Sequence, residues 1–317
     1  TSKFSDATSG FLLMVLLIAF GAVPGDAQTS GIHVPVTAAQ YERWKTELSN
    51  WGRWGPDDQM GALNLITPDK RKQAATLVMD GVTVSMAADV ITEETIEGAS
   101  PFEVSTYVNE GGGGDLLSVR FHGYIHTHID AFAHRFMDGK MWNGFAADNV
   151  TAEMGAQKGS VYAAHDGIFT RGVLMDIARL KGVPYLEPGT RIYIADLEAW
   201  EKMAGVRVSS GDAVFIRTGR WARRTRVGLW DVNNERAGLD PSVIPWLKER
   251  DVAILGSDSM HDAMPLQDWA EIKSPFALHD FALIMLGVHL FDNVNLEEVG
   301  DVAAERSRWE FLLTAAP

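Results

Sequence analysis

Apolar positions recur along this chain at two alternating spacings, one helical and one strand-like. Tyr41, Trp44 and Leu48 follow Thr37 and Gln40 at helical intervals, which predicts a capped helix over residues 38–48. Residues 50–66 (NWGRWGPDDQMGALNLI) break every period with Gly, Pro and Asp and predict a loop. Trp51 and Trp54 within it suit either packing or stacking on a substrate, whereas Asp57 and Asp58 suit loop capping. Thr67 and Pro68 open a second helix as cap and first residue, and Gly81 closes it. Short apolar runs at 82–90, 116–121, 172–177, 213–218, 252–258, 288–293 and 309–314 read as strands. Residues 196–204, 241–250, 275–286 and 295–307 read as helices, the first ended by Gly205 and the third by Gly287. The glycines at 111–114 lack the Lys-Ser/Thr pair and the following helix of a phosphate loop, so they predict a flexible connection. Residues 137–145 (MDGKMWNGF) form a further loop carrying an aromatic. Strands and helices alternate without a linker or a repeat, which predicts one α/β domain with a mixed central sheet.

Composition narrows the partners. With 317 residues, 46% of them hydrophobic, the chain can bury a sizeable core. Its formal net charge of −14 argues against nucleic acid and for a small neutral or organic molecule. The N-terminus carries Lys3, the apolar run 11–20 (FLLMVLLIAF) and then Gly25 and Ala27, the layout of a secretory signal cut after Ala27. The run is shorter than the roughly 20 residues that a membrane span needs. The expectation is therefore a signal peptide over 1–27 and a single domain over 28–317, secreted or periplasmic, with no stable membrane insertion after cleavage. An uncleaved anchor is the competing reading. Cysteine is absent, so any metal must be held by His, Asp or Glu.

The chemistry concentrates in residues 121–134 (FHGYIHTHIDAFAH). Four of nine histidines, His122, His126, His128 and His134, fall there with Asp130. His126, His128 and Asp130 alternate as same-face residues of a strand do. Imidazole nitrogen and carboxylate oxygen together suit a borderline divalent ion such as Mn²⁺ or Zn²⁺. Burying such groups with no shared partner would be costly. Isolated histidines such as His33, His165 and His289 read as surface or satisfied polar residues. His261, three residues after Asp258, could line a pocket or simply occupy a loop.

Thr127, His128, Ile129 and Asp130 followed by His134 resemble the second half of HxGTHxDxPxH, the signature of the metal-dependent cyclase family that includes kynurenine formamidases and isatin hydrolase. Residues 51–67, 172–183, 253–258 and 279–293 resemble segments of a long-chain branch of that family, in the same order. The resemblance implies a swivelling β/β/α, cyclase-like architecture. It implies His128 and Asp130 as metal ligands, and His134 as a further ligand or an acid/base. His279 and Asp292 match a distal pair that binds a second metal in some members and moves protons in others. The sequence departs from the motif at Tyr124, His126 and Phe132, which stand where the family has His, Gly and Pro. His126, or His122 if the strand bulges near Gly123, could replace the first ligand; the same-face position favours His126.

The resemblance implies a metal-dependent hydrolase that opens a cyclic or aryl amide at its C–N bond. A metal-activated water would attack, and His134, His279 and Asp292 would manage protons. A lactone or ester hydrolase, a dehydrating cyclase and a non-catalytic binding protein are the alternatives. Family members are typically dimers or larger, so the resemblance implies a homodimer or higher homo-oligomer.

Overall fold

The computed structural model describes residue 1, residues 34–265, residue 272 and residues 274–317. The chain divides into two units, Thr1–Val34 and Pro35–Pro317, and every strand and helix named below belongs to the second. The signal-like run lies outside the described residues. Among the described residues, no helix is long and apolar enough to cross a membrane.

A six-stranded mixed sheet organises Pro35–Pro317. Its strands are β3 (His128–Asp130), β4 (Ile168–Asp176), β5 (Ala213–Arg217), β6 (Ile254–Ser257), β7 (His289–Asp292) and β8 (Glu310–Ala315), after a separate hairpin of β1 (Glu103–Asn109) and β2 (Gly112–Ser118). The spatial order is β8-β4-β5-β6-β7-β3. The four central strands run parallel, and the two edge strands pair antiparallel. Central strands covered on both faces must be apolar throughout, which is why AVFIR and ILGS read as continuous buried runs. Two glycines let aromatic rings lie across the sheet. A Cβ on Gly172 would meet the Phe311 ring at 2.4 Å, and one on Gly256 would meet Phe215 at 2.3 Å.

Helices cover the sheet. These are α1 (Ala38–Glu47), α2 (Pro68–Ala75), α3 (Ile194–Ala204), α4 (Arg220–Val227), α5 (Ile244–Glu249), α6 (Ala277–Phe281) and α7 (Glu297–Arg306). Thr37 caps α1 through Gln40 N, and Thr67 caps α2 through Lys70 N, as the sequence predicts. Trp200 of α3 is fully buried, and its indole donates to Leu174 O at 2.8 Å.

Several segments differ from the sequence reading; the strand read over 116–121 ends at Ser118. The second helix stops at Ala75 rather than reaching Gly81. Residues 82–90 show the strand alternation, with Val84, Met86 and Ala88 half-buried, yet they join no ladder. The glycines at 111–114 fall in the turn and start of β2, where Gly114 faces Tyr107. The predicted helix 275–286 is α6 followed by a π-helical turn, Ala282–Leu286.

That π turn explains the tryptophan-rich loop. The carbonyls ending a helix lack intrahelical partners. Here Trp51 Nε1 donates to Ile284 O at 2.6 Å, Asn50 N to Met285 O at 2.8 Å, and Asn50 Nδ2 to Leu286 O at 2.9 Å. Ala62 N donates to Gly287 O at 2.6 Å. Trp51 therefore closes a helix end, and Asp58 caps its own loop by accepting from Gly61 N at 2.8 Å. The loop fixes the end of the segment that carries His279.

Candidate metal centre

The site lies where the parallel strands end, the usual place for a site on such a sheet. Edge strand β3 runs antiparallel to β7, with His128 opposite Asp292 and Asp130 opposite Leu290. The two-residue period puts His128 and Asp130 on one face, and the register brings Asp292 to the same face. His261 follows β6 in sequence. His279 comes from α6, whose first N–H groups are held by the buried Asp262: Leu278 N and His279 N donate to its two oxygens at 2.9 and 3.1 Å.

Asp130, fully buried, is the centre of the cluster. Its Oδ1 lies 2.8 Å from His122 Nδ1 and 3.3 Å from His128 Nε2, and its Oδ2 lies 2.9 Å from His279 Nε2. Asp292 Oδ1 lies 3.1 Å from His261 Nε2, and Asp292 Oδ2 lies 3.8 Å from His279 Nε2. His134 stacks on His122 with ring centres 3.7 Å apart. From behind, His289 Nδ1 meets the Asp130 carbonyl at 2.8 Å while its ring stacks on Phe132.

Electrostatics follow from this crowding. Burial opposes charge on Asp130, but the imidazoles of His122, His128 and His279 hold its carboxyl well below the usual range. Burial likewise opposes charge on Asp292, and His261 and His279 overcome it. Burial disfavours the imidazolium of His279, yet the two carboxylates raise its pKa to about 10. His134 goes the other way: burial lowers it to about 4.

The residues fit a divalent cation. Both oxygens of Asp130, Oδ1 of Asp292 and both ring nitrogens of His261 and His279 are buried without a well-formed hydrogen bond. Carboxylate oxygens and imidazole nitrogens that converge without hydrogen-bond geometry are what a shared ion satisfies, taking one lone pair from each ring in its neutral form. Two sets of donor atoms each lie within 4.8 Å of one another: His122, Asp130 and His134, and His128, Asp130 and Asp292. Asp130 belongs to both.

The structure thus brings together His128, Asp130, His134, His279 and Asp292, all named from the sequence. It does not bring His126 to them. The His126 Nε2 sits 3.2 Å from Ser100 O and the ring packs edge-on to Phe102. His122 takes the place beside Asp130 instead, because residues 122–126 form bends rather than a strand and same-face alternation fails before His128. His261 is the second departure, a site residue that sequence reasoning left between pocket and loop. Its position just past the end of β6 was the available signal.

The family described as Cyclase has a model that matches residues 82–261, more than half of the chain. A crystal structure described as a novel cyclase is 26% identical over 86% of this chain and 93% of its own, with a TM-score of 0.75. Isatin hydrolase A from Labrenzia aggregata, bound to benzyl benzoate, is 17% identical over 72% of this chain and 87% of its own, with a TM-score of 0.48. A structure described as a potential metal-dependent hydrolase with cyclase activity is 15% identical over 68% and 84%, with a TM-score of 0.38. No curated protein matches the chain.

Proposed function

The chain belongs to the cyclase family, and from that premise we propose that it is a metal-dependent hydrolase opening the C–N bond of a cyclic or aryl amide with water. The observation that carries this reading is Asp130: a fully buried carboxylate, met by three imidazoles, whose two oxygens have no well-formed hydrogen bond. His128, Asp130 and Asp292 would hold the ion, with His122 completing the set nearer to solvent. A bound divalent ion supplies Lewis acidity and lowers the pKa of a bound water toward ~7.

The chain's own residues would then manage protons. His134, whose pKa burial lowers to about 4, stays neutral at working pH and would orient the attacking water by accepting a hydrogen bond at a ring nitrogen. His279, whose Nε2 lies beside both carboxylates, would when protonated donate from Nε2 to the leaving nitrogen. Amide nitrogen is a poor leaving group unless protonated, which is why a charged imidazole beside the ion favours amides. His261 keeps Asp292 ionised.

The test is purified protein, stripped by chelator and reloaded with Mn²⁺ or Zn²⁺, assayed against isatin, N-formylkynurenine and a panel of lactones. Metal-dependent opening of the amides is expected. Turnover confined to lactones would overturn the amide assignment, and failure to bind any metal would point to a binding protein.

A further inference from the structure

The half of the cluster that departs from the family motif, residues 122–126, has no ladder to hold it, so something else must fix its backbone. That support comes from a buried arginine outside the cluster. Arg220 opens α4 just after β5, and Asp258 anchors that turn by accepting from Thr218 N at 2.9 Å, Gly219 N at 2.7 Å and Arg220 N at 3.2 Å. The Arg220 side chain is 3% exposed, and both bonded Nη groups go to neutral oxygens: Nη1 to the side-chain oxygen of Asn293 and Nη2 to the Tyr124 carbonyl. Its face lies 4.5 Å from the Trp221 ring centre.

Asn293 continues the grip. It is fully buried, immediately follows Asp292, and adopts a positive φ of 56° that asparagine tolerates better than most residues. Its Nδ2 donates to Gly123 O at 2.9 Å and to His126 O at 3.1 Å, and its own carbonyl accepts from Thr127 Oγ1 at 2.7 Å. His126 O also meets His128 Nδ1 at 2.8 Å. That contact makes Nδ1 a donor, so Nε2 of His128, which faces Asp130, is the nitrogen that can offer a lone pair to an ion. A guanidinium buried against neutral oxygens is expensive, and pinning backbone that would otherwise wander is a physical reason to keep it.

We infer that Arg220 and Asn293 are positioning residues of this centre: they grip the carbonyls of Gly123, Tyr124 and His126, and through them fix His122 and His128 against Asp130. The inference rests on the reading of the cluster as a metal site. It also accounts for the departures from the motif. Tyr124 and His126 contribute backbone carbonyls, so their side chains need not be the family's.

The experiment uses the full chain and three variants, Arg220→Met, Arg220→Lys and Asn293→Asp. Each is stripped and titrated with Mn²⁺ against a chromophoric chelator, with circular dichroism and melting temperature recorded alongside. Asn293→Asp keeps a side-chain oxygen for Arg220 while removing both donors to the 123 and 126 carbonyls. Arg220→Met and Asn293→Asp are expected to bind Mn²⁺ about 10–100-fold more weakly, and Arg220→Lys to recover part of that loss. Native affinity in folded Arg220→Met and Asn293→Asp would overturn the inference. If Arg220→Met fails to fold, Asn293→Asp alone decides. A wild-type chain that takes up no Mn²⁺, Zn²⁺ or Co²⁺ would sink the metal reading itself, a result distinct from native affinity in the variants.

Discussion

Each histidine of the cluster owes its role to where its ring nitrogens point. His122 and His126 are both histidines of the same segment, yet one lies 2.8 Å from Asp130 and the other faces Ser100 O. His122→Ala is therefore expected to weaken Mn²⁺ binding by at least about 10-fold, the lower end for a lost metal contact. His126→Ala should leave it within about 3-fold. Competitive chelator titration of the two variants checks this, and equal losses would show that the segment rearranges. His279 gives a pH prediction for the metal-stripped protein. Its folded pKa is raised to about 10 by Asp130 and Asp292 despite burial. A raised pKa contributes stability that is fully present below the unfolded value of ~6.5 and is lost as pH rises through the folded one. Urea midpoints of stripped protein should fall between about pH 6.5 and 10, and His279→Gln should flatten that slope. A fall of the same size in the variant would remove His279 as its source.

At the level of elements, the carrier of His279 depends on a close approach between two glycines. Gly61 has φ +56°, and a Cβ there would lie 2.3 Å from Gly287 O. That carbonyl is one of those ending the π turn, so the loop 50–66 and the turn must shift together if Gly61 gains a side chain. Gly61→Ala is expected to cost on the order of 2–3 kcal/mol, read from a denaturant midpoint at unchanged slope. A neutral result would mean that the loop does not clasp the turn. The elements invisible in the sequence had no apolar period to reveal them. Helix α4 carries Arg220, Arg223, Arg224 and Arg226, and it packs its guanidinium groups on Trp221 and Trp230 rather than showing an apolar stripe. The β1–β2 hairpin is exposed along nearly its whole length, so burial left no alternation to read and only the apolar end of β2, residues 116–118, was legible. Conversely, β5, β6 and β7 were legible because strands covered on both faces must be apolar.

On the scale of the whole molecule, that hairpin leaves unmatched apolar surface. Val108 is 80% exposed and Leu116 69%, with Tyr107 and Leu117 beside them. Tyr107 and Leu116 lie on one face of the hairpin, and Val108 and Leu117 on the other; a two-stranded hairpin standing alone is marginal in water, and covering either face would steady it. We propose that a second copy of the chain covers it. Val108→Lys combined with Leu116→Lys is expected to shift sedimentation toward the monomer without lowering the circular dichroism signal. Unchanged sedimentation of the double variant would place any interface elsewhere.

The amino-acid sequence by itself determined the α/β class, the family, and five members of the cluster: His128, Asp130, His134, His279 and Asp292. It could do so because strand alternation is local, and because a motif keeps its ligands at fixed spacing along the chain. Only the tertiary structure decided the rest. Whether His122 or His126 faces Asp130 depends on how residues 122–126 bend, and that bend is held by Arg220 and Asn293, roughly a hundred residues or more away along the chain. His261 joins Asp292 because two parallel strands end side by side. Contacts of that kind are made by neighbours in the sheet and leave no period in the sequence.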